Sequence, residues 1–153
     1  MAKTKKHIKV KIRIPHLIID GRAADPKLLD ELAPGLRELD ARVRVLGKGA
    51  KSIPHAFSAE EALEEASIWV ILGDELPSEF PMLVERGVVP VMLRGVHPDA
   101  ENYNASAETG NAFLFPKANH WHIYGTIVRA LENFTFSYDW ESLKNQGKDL
   151  LDV

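Results

Sequence analysis

Leu17-Ile18-Ile19-Asp20-Gly21-Arg22-Ala23-Ala24-Asp25-Pro26-Lys27 is the stretch on which the fold turns. Three apolar residues follow one another without alternation, as in a parallel strand covered on both faces. Asp25 then stands before Pro26. An aspartate accepts hydrogen bonds from the first free helical N–H groups, and a proline at the first helical position arrives with its φ already set. Leu28, Leu29 and Leu32 mark the inner face of the helix. Pro34-Gly35 predicts a kink or two short pieces, with Leu36 and Leu39 continuing the stripe.

Strand, turn and helix then repeat. Residues 41–46 form a strand closed by Gly47-Lys48-Gly49. Ser58-Ala59-Glu60-Glu61 is a capping box that opens a helix to about residue 66. A strand over 67–72 precedes a short helix over 78–85, which Gly87 ends before a strand over 88–93. Residues 95–111 are a long loop, and such loops in small domains are usually functional or mobile. A last strand covers 112–115. Asn119 caps a long helix whose inner face carries Tyr124, Ile127, Val128 and Leu131, and a final helix over 139–150 carries Trp140 and Leu143.

The alternation predicts one α/β domain, a Rossmann-like parallel sheet with helices on both faces. At the front, Ile8, Val10, Ile12 and Ile14 alternate with His7, Lys9, Lys11 and Arg13, which predicts a basic, half-buried edge strand over residues 7–14, within a segment 1–15 that precedes the main body at 16–153. In such sheets ligands sit beyond the carboxyl ends of the strands, where the strand order reverses. Arg22, Gly47, Gly49, Asp74 and the 95–111 loop all follow strands and should gather on that edge.

Composition narrows the classes of function. The 153 residues include no cysteine, which excludes disulfides and thiolate catalysis and fits a reducing compartment. No apolar run approaches the ~20 residues of a membrane span. The basic start, Met1-Ala2-Lys3-Thr4-Lys5-Lys6, leads into no apolar stretch of the secretory kind, so a cytoplasmic location without membrane attachment is expected. Six of the 19 basic residues fall in the first 13 positions, where there is no acid; the rest of the chain carries all 22 acidic residues. A body so acidic is a poor partner for nucleic acid, and the lysines suit an edge strand that must avoid pairing with another sheet.

Arg22 and Lys27, five apart at the mouth of the first helix, are the principal candidates for a binding site. The free N–H groups and dipole of a helix start favour an anion, and two cations beside them suit a diphosphate. The competing reading is a pair of solvated surface cations, with Lys27 near Asp30 or Glu31. Gly21, Gly47 and Gly49 could bring backbone close to a ligand or could simply make turns. Asp74, with Glu75, could hold a ribose or a metal but more ordinarily forms a solvated turn. His120 and His122 are two apart on a helix and do not face together, so no metal site is assigned. There is no P-loop, no G-x-G-x-x-G and no nucleophile elbow; no cofactor and no catalytic residue is assigned.

Taken in order, several of these pieces resemble the C-terminal, nucleotide-sugar-binding half of GT-B glycosyltransferases, nearest the glycogen and starch synthases. Gly21-Arg22 through Lys27-Leu28-Leu29-Asp30-Glu31-Leu32 is similar to the family's Arg, Lys and Leu-rich helix. Arg42-Val43-Arg44-Val45-Leu46-Gly47-Lys48-Gly49 resembles its Leu-Gly-x-Gly strand and turn. Glu61-Ala62-Leu63-Glu64-Glu65-Ala66, Leu76-Pro77-Ser78, Gly87-Val88-Val89-Pro90-Val91 and Gly110-Asn111-Ala112-Phe113-Leu114-Phe115 follow in the family's order, as do Ile127-Val128-Arg129-Ala130-Leu131-Glu132 and Trp140. The resemblance spans residues 16–150. It implies that Arg22 and Lys27 bind the diphosphate of a nucleoside-diphosphate sugar, and that a protein partner supplies the acceptor-binding domain. The family's Glu-Pro-x-Gly-Leu segment is missing, and Glu79 and Glu85 are out of register with its glutamates.

An alternative of another class is a receiver-like or pseudo-receiver interaction module. Asp20 would stand for the acid after the first strand, Asp74 for the phosphorylated residue and Lys117 for the lysine after the last strand.

Overall fold

A computed structural model describes residues 13–151. Its centre is a five-stranded, wholly parallel sheet in the order β2-β1-β3-β4-β5. The strands are β1 (His16–Asp20), β2 (Arg42–Leu46), β3 (Ile68–Ile71), β4 (Val89–Leu93) and β5 (Phe113–Phe115). β3 and β5 are buried along their whole length, as expected of strands covered on both sides. The chain is thus a Rossmann-like α/β domain.

The helices are α1 (Pro26–Leu36), α2 (Ala59–Glu65), α3 (Phe80–Glu85), α4 (His120–Phe134) and α5 (Ser137–Gln146), followed by a 3-10 turn over Gly147–Leu151. Pleating sends alternate side chains of each strand to opposite faces. Leu17, Ile19, Val70, Val91 and Phe113 pack with Leu29 and Leu32 of α1, Ile123 and Ile127 of α4 and Trp140 of α5. Ile18, Trp69, Ile71, Met92 and Leu114 pack with Leu63 of α2, Leu83 of α3 and Leu150. Helices therefore cover both faces.

The three helix starts expected from capping residues are observed, each with its cap. The Asp25 side chain accepts from the Lys27 N–H, Ser58 from Glu61 and Asn119 from His122. Other expectations need correction. α1 runs through Pro34 as one piece to Leu36. A proline in a helix interior costs about 3 kcal/mol, whereas each fully buried leucine gains about 1.5–3 kcal/mol; Leu29, Leu32 and Leu36 are all buried. The inner face of α4 is turned from the expected one. Ile123, Thr126, Ile127, Ala130 and Phe134 are buried, while Tyr124, Val128 and Leu131 are only partly so. The last helix starts at Ser137 and tightens into the 3-10 turn at Gly147. The edge strand expected over residues 7–14 lies mostly outside the described residues; Arg13 and Ile14 belong to no strand.

The long 95–111 loop holds no helix or strand, yet it is tied down. Bridges join Asn102 to Ala112 and Asn104 to Thr109. His97 is buried: its Nδ1 accepts from the Asp99 N–H at 3.0 Å, and its Nε2 lies 2.9 Å from the Leu150 carbonyl. The first bond leaves the proton on Nε2, which donates to Leu150 and fastens the loop to the chain's last turn.

Beyond β2 the sheet has a rudimentary further member. The Val45 N–H donates to the Pro54 carbonyl and the Ala56 N–H to the Val45 carbonyl, both at 2.9 Å, a parallel bridge centred on His55. Counting it as a strand, the order becomes 3-2-1-4-5-6, that of a doubly wound α/β sheet.

Candidate functional site

The strand order reverses between β1 and β3: the chain goes from β1 outward to β2, then returns to lay β3 on the other side of β1. The turns leaving β1 and β3 touch at Ala23 and Gly73 and then lead to helices on opposite faces, leaving a crevice beside the contact. A cleft of about 240 Å³ opens at that point, lined by Asp20, Arg22 and Ala23 from the first turn and by Ile71, Gly73, Glu75, Leu76, Pro77, Ser78 and Glu79 from the second.

Asp20 ends β1 and is buried, with 5% of its surface exposed. A buried carboxylate must be fully hydrogen-bonded to be tolerated. Oδ1 accepts from the Arg22 backbone N–H at 3.2 Å and from Arg22 Nε at 2.9 Å. Oδ2 accepts from Arg22 Nη2 at 2.8 Å and from Trp69 Nε1 at 3.0 Å. Two bonds to each oxygen fill its acceptor capacity. Trp69 reaches it because Ile18 pairs with Trp69 in register, and both side chains lie on the face that Asp20 shares.

Arg22 is thereby aimed across the end of β3, where it meets Glu79, the residue before α3. Nη2 lies 2.8 Å from Oε1 and Nη1 3.3 Å from Oε2. The Arg22 side chain is 37% exposed and Glu79 22%. The bonds to Asp20 and then Glu79 raise the guanidinium's pKa further above its ordinary value. In return, the Arg22 hydrogen bonds hold the Glu79 carboxyl below the usual range.

Gly73 permits the close approach of the two turns. A Cβ there would stand 2.8 Å from the Ala23 Cβ and 2.9 Å from its carbonyl oxygen. Gly47 plays a similar part on the other side of β1. Its φ is +118°, and an added Cβ would meet the Gly21 carbonyl carbon at 2.9 Å. Gly21 is buried and donates its N–H to the Leu46 carbonyl, while Gly49, with φ +101°, lies under the Pro26 carbonyl at the head of α1. These three glycines support the walls of the site and do not line the cleft.

Of the candidates for the ligand site, Arg22, Lys27, Gly21, Gly47, Gly49 and Asp74, Arg22 alone lines the cleft; Asp20, named for the receiver-like alternative, and Glu75, named beside Asp74, line it as well. Lys27 is exposed in the first turn of α1, with no ion pair among the described residues, and lies outside the lining. Asp74 is exposed between Gly73 and Glu75 and is likewise outside it. His120 is 3.8 Å from Glu31, on the opposite face of the sheet from α3. The pairing of Asp20 and Glu79 with Arg22, and of Trp69 with Asp20, is not legible from spacing. Among the described residues, no group of three or more His, Asp or Glu could hold a metal ion, and no helix is long and apolar enough to cross a membrane.

No protein-family model matches the chain, and no characterised protein matches it at a significant level.

Proposed function

We propose that this domain is the nucleotide-sugar-binding half of a GT-B-type glycosyltransferase site, taking the donor's diphosphate at Arg22. The observation that carries this is the position of Arg22: its guanidinium, oriented by a buried carboxylate, stands at the mouth of a cleft where the strand order reverses. The rudimentary sixth strand at His55 strengthens the reading, because it completes the nucleotide-binding order. The cleft's 240 Å³ is below the ~300–1,000 Å³ of a complete small-molecule pocket. A half-site of that size suits a ligand whose other wall comes from a protein partner carrying the acceptor domain. Lys27, exposed five residues further on and outside the cleft lining, would act only on a part of the ligand that extends past the cleft toward the head of α1. In the transfer reaction, the two cations would steady the charge that builds on the departing nucleoside diphosphate. A cytoplasmic location fits this reading and the absence of cysteine.

The receiver-like alternative draws less support. Such a module needs an acid after the first strand with room for a magnesium ion, and all four acceptor positions of Asp20 are filled by protein donors.

Isothermal titration with ADP, UDP and their glucose conjugates tests the proposal. Binding by at least one is expected. Lys27→Ala, which breaks no side-chain hydrogen bond or ion pair among the described residues, should weaken it by up to about threefold, and adding Arg22→Ala should bring the total loss to at least ~1.5 kcal/mol, the scale of a charge-assisted hydrogen bond. Absence of binding by all four ligands at millimolar concentration, to the wild type and to Glu79→Ala alike, would refute it.

A further inference from the structure

Arg22 has five N–H donors. Asp20 takes two of them and Glu79 two more, leaving a single Nη1 hydrogen for anything that enters the cleft. The two carboxylates also outweigh the one cation, and Glu75 adds a third negative charge to the lining. As it stands, the cleft repels the ligand that Arg22 would attract. The two carboxylates are not equivalent. Asp20 is buried and saturated; Glu79 is partly exposed and approaches the guanidinium end-on, from the cleft side.

Glu79 is also free of any duty to its own helix. It stands at the start of α3 without making a side-chain cap, and its main chain alone serves the helix by accepting from Leu83. Among the described residues Arg22 is the one side chain that holds its carboxylate, with a lesser contribution from the Glu79 backbone N–H.

We propose, resting on the diphosphate reading above, that Glu79 is a built-in stand-in for the ligand's anion. It occupies the guanidinium until a diphosphate displaces it, and so determines which ligands are admitted. A ligand must offer more than the carboxylate it evicts. An anion with one charged group exchanges like for like. A diphosphate brings a second charged group, which can share the three Arg22 donors that Glu79 leaves behind, so the exchange favours it. After displacement Arg22 offers three N–H donors where it offered one, and Asp20 keeps it aimed throughout.

The test is titration calorimetry with ADP and inorganic pyrophosphate on the wild type, Glu79→Gln, Glu79→Ala and Glu75→Gln. The Gln variant keeps the shape and a weaker, neutral acceptor, and the Ala variant removes both. Each Glu79 variant is expected to bind about tenfold more tightly than the wild type, the scale of one partly exposed charge-assisted pair. Glu75→Gln makes the same change of charge without freeing Arg22 and is expected to gain less than threefold. Binding seen in the Glu79 variants alone would uphold both proposals. Wild-type binding that neither Glu79 variant strengthens, or that Glu75→Gln strengthens equally, would overturn the stand-in role and leave the diphosphate reading in place. No binding by any of the four proteins would overturn both.

Discussion

Asp20→Ala is the perturbation that asks most of the site's architecture. The substitution removes the acceptor of Trp69 Nε1–H, and Trp69 is completely buried, with 0% of its surface exposed. An orphaned buried donor costs about 1–3 kcal/mol. Arg22 loses two side-chain bonds and one backbone bond, but it keeps Glu79 and has access to water; its share is about 0.5–1 kcal/mol. The total is about 1.5–4 kcal/mol, which for a domain of this size lowers Tm by roughly 3–16 °C. Urea unfolding at pH 7, followed by tryptophan fluorescence and far-ultraviolet circular dichroism, measures it. Asp20→Asn should lose roughly half as much, since its amide oxygen still accepts from Trp69. Glu79→Ala should lose less than about 1 kcal/mol, because its pair with Arg22 is solvent-exposed. If Asp20→Ala costs no more than Glu79→Ala, the buried carboxylate is not the anchor of Arg22, and the argument that one carboxylate is fixed and the other exchangeable fails.

Three other outcomes are expected. Tyr103 is buried against Phe113, and its hydroxyl has no hydrogen-bond partner among the described residues; Tyr103→Phe should therefore raise stability by about 0.5–1.5 kcal/mol in denaturant titration, and a loss of the same size would show that the hydroxyl is satisfied. Gly47→Ala sets a side chain at φ +118° against the Gly21 backbone and should cost about 2–3 kcal/mol, with a cost below ~0.5 kcal/mol counting against the close turn. Glu79 has a lowered pKa in the folded state, so its contribution is fully present above the unfolded value near 4.5 and is lost as pH falls through the folded one; between those limits the wild type should lose stability more steeply than Glu79→Gln, and parallel acid profiles would contradict the pairing.

Most of the fold was legible because its signals are local. Asp25-Pro26, Ser58 and Asn119 each announce a helix by chemistry within four residues, and the apolar runs at β1, β3 and β4 are short and unbroken. The misreadings arose where a non-local contact decides. The inner face of α4 includes Thr126, a polar residue that spacing assigns to solvent. It can be buried because its Oγ1 donates to the His122 carbonyl at 2.8 Å in the preceding turn, satisfying the hydroxyl without water. The α1 proline is carried by core packing that the local sequence does not display. The bridge at His55 consists of two backbone hydrogen bonds and has no hydrophobic pattern of its own.

The site divides along the same line. Arg22 is legible because it follows a strand and precedes a helix start, a relation contained in six residues. Its partner Glu79 lies 57 residues further on, and only the strand order brings them together. Had β3 been laid outside β2, the turn bearing Glu79 would have ended two strands away and Arg22 would face solvent with Asp20 alone. The reversal that opens the crevice is therefore also what places a carboxylate inside it. A binding cation at a switch point must contend with whatever charge the neighbouring turn carries, and here that turn holds Asp74, Glu75 and Glu79 within six positions. The count of basic residues near a helix start thus says where an anion could sit, while the acids after the next strand in the sheet decide how strongly it must compete to sit there.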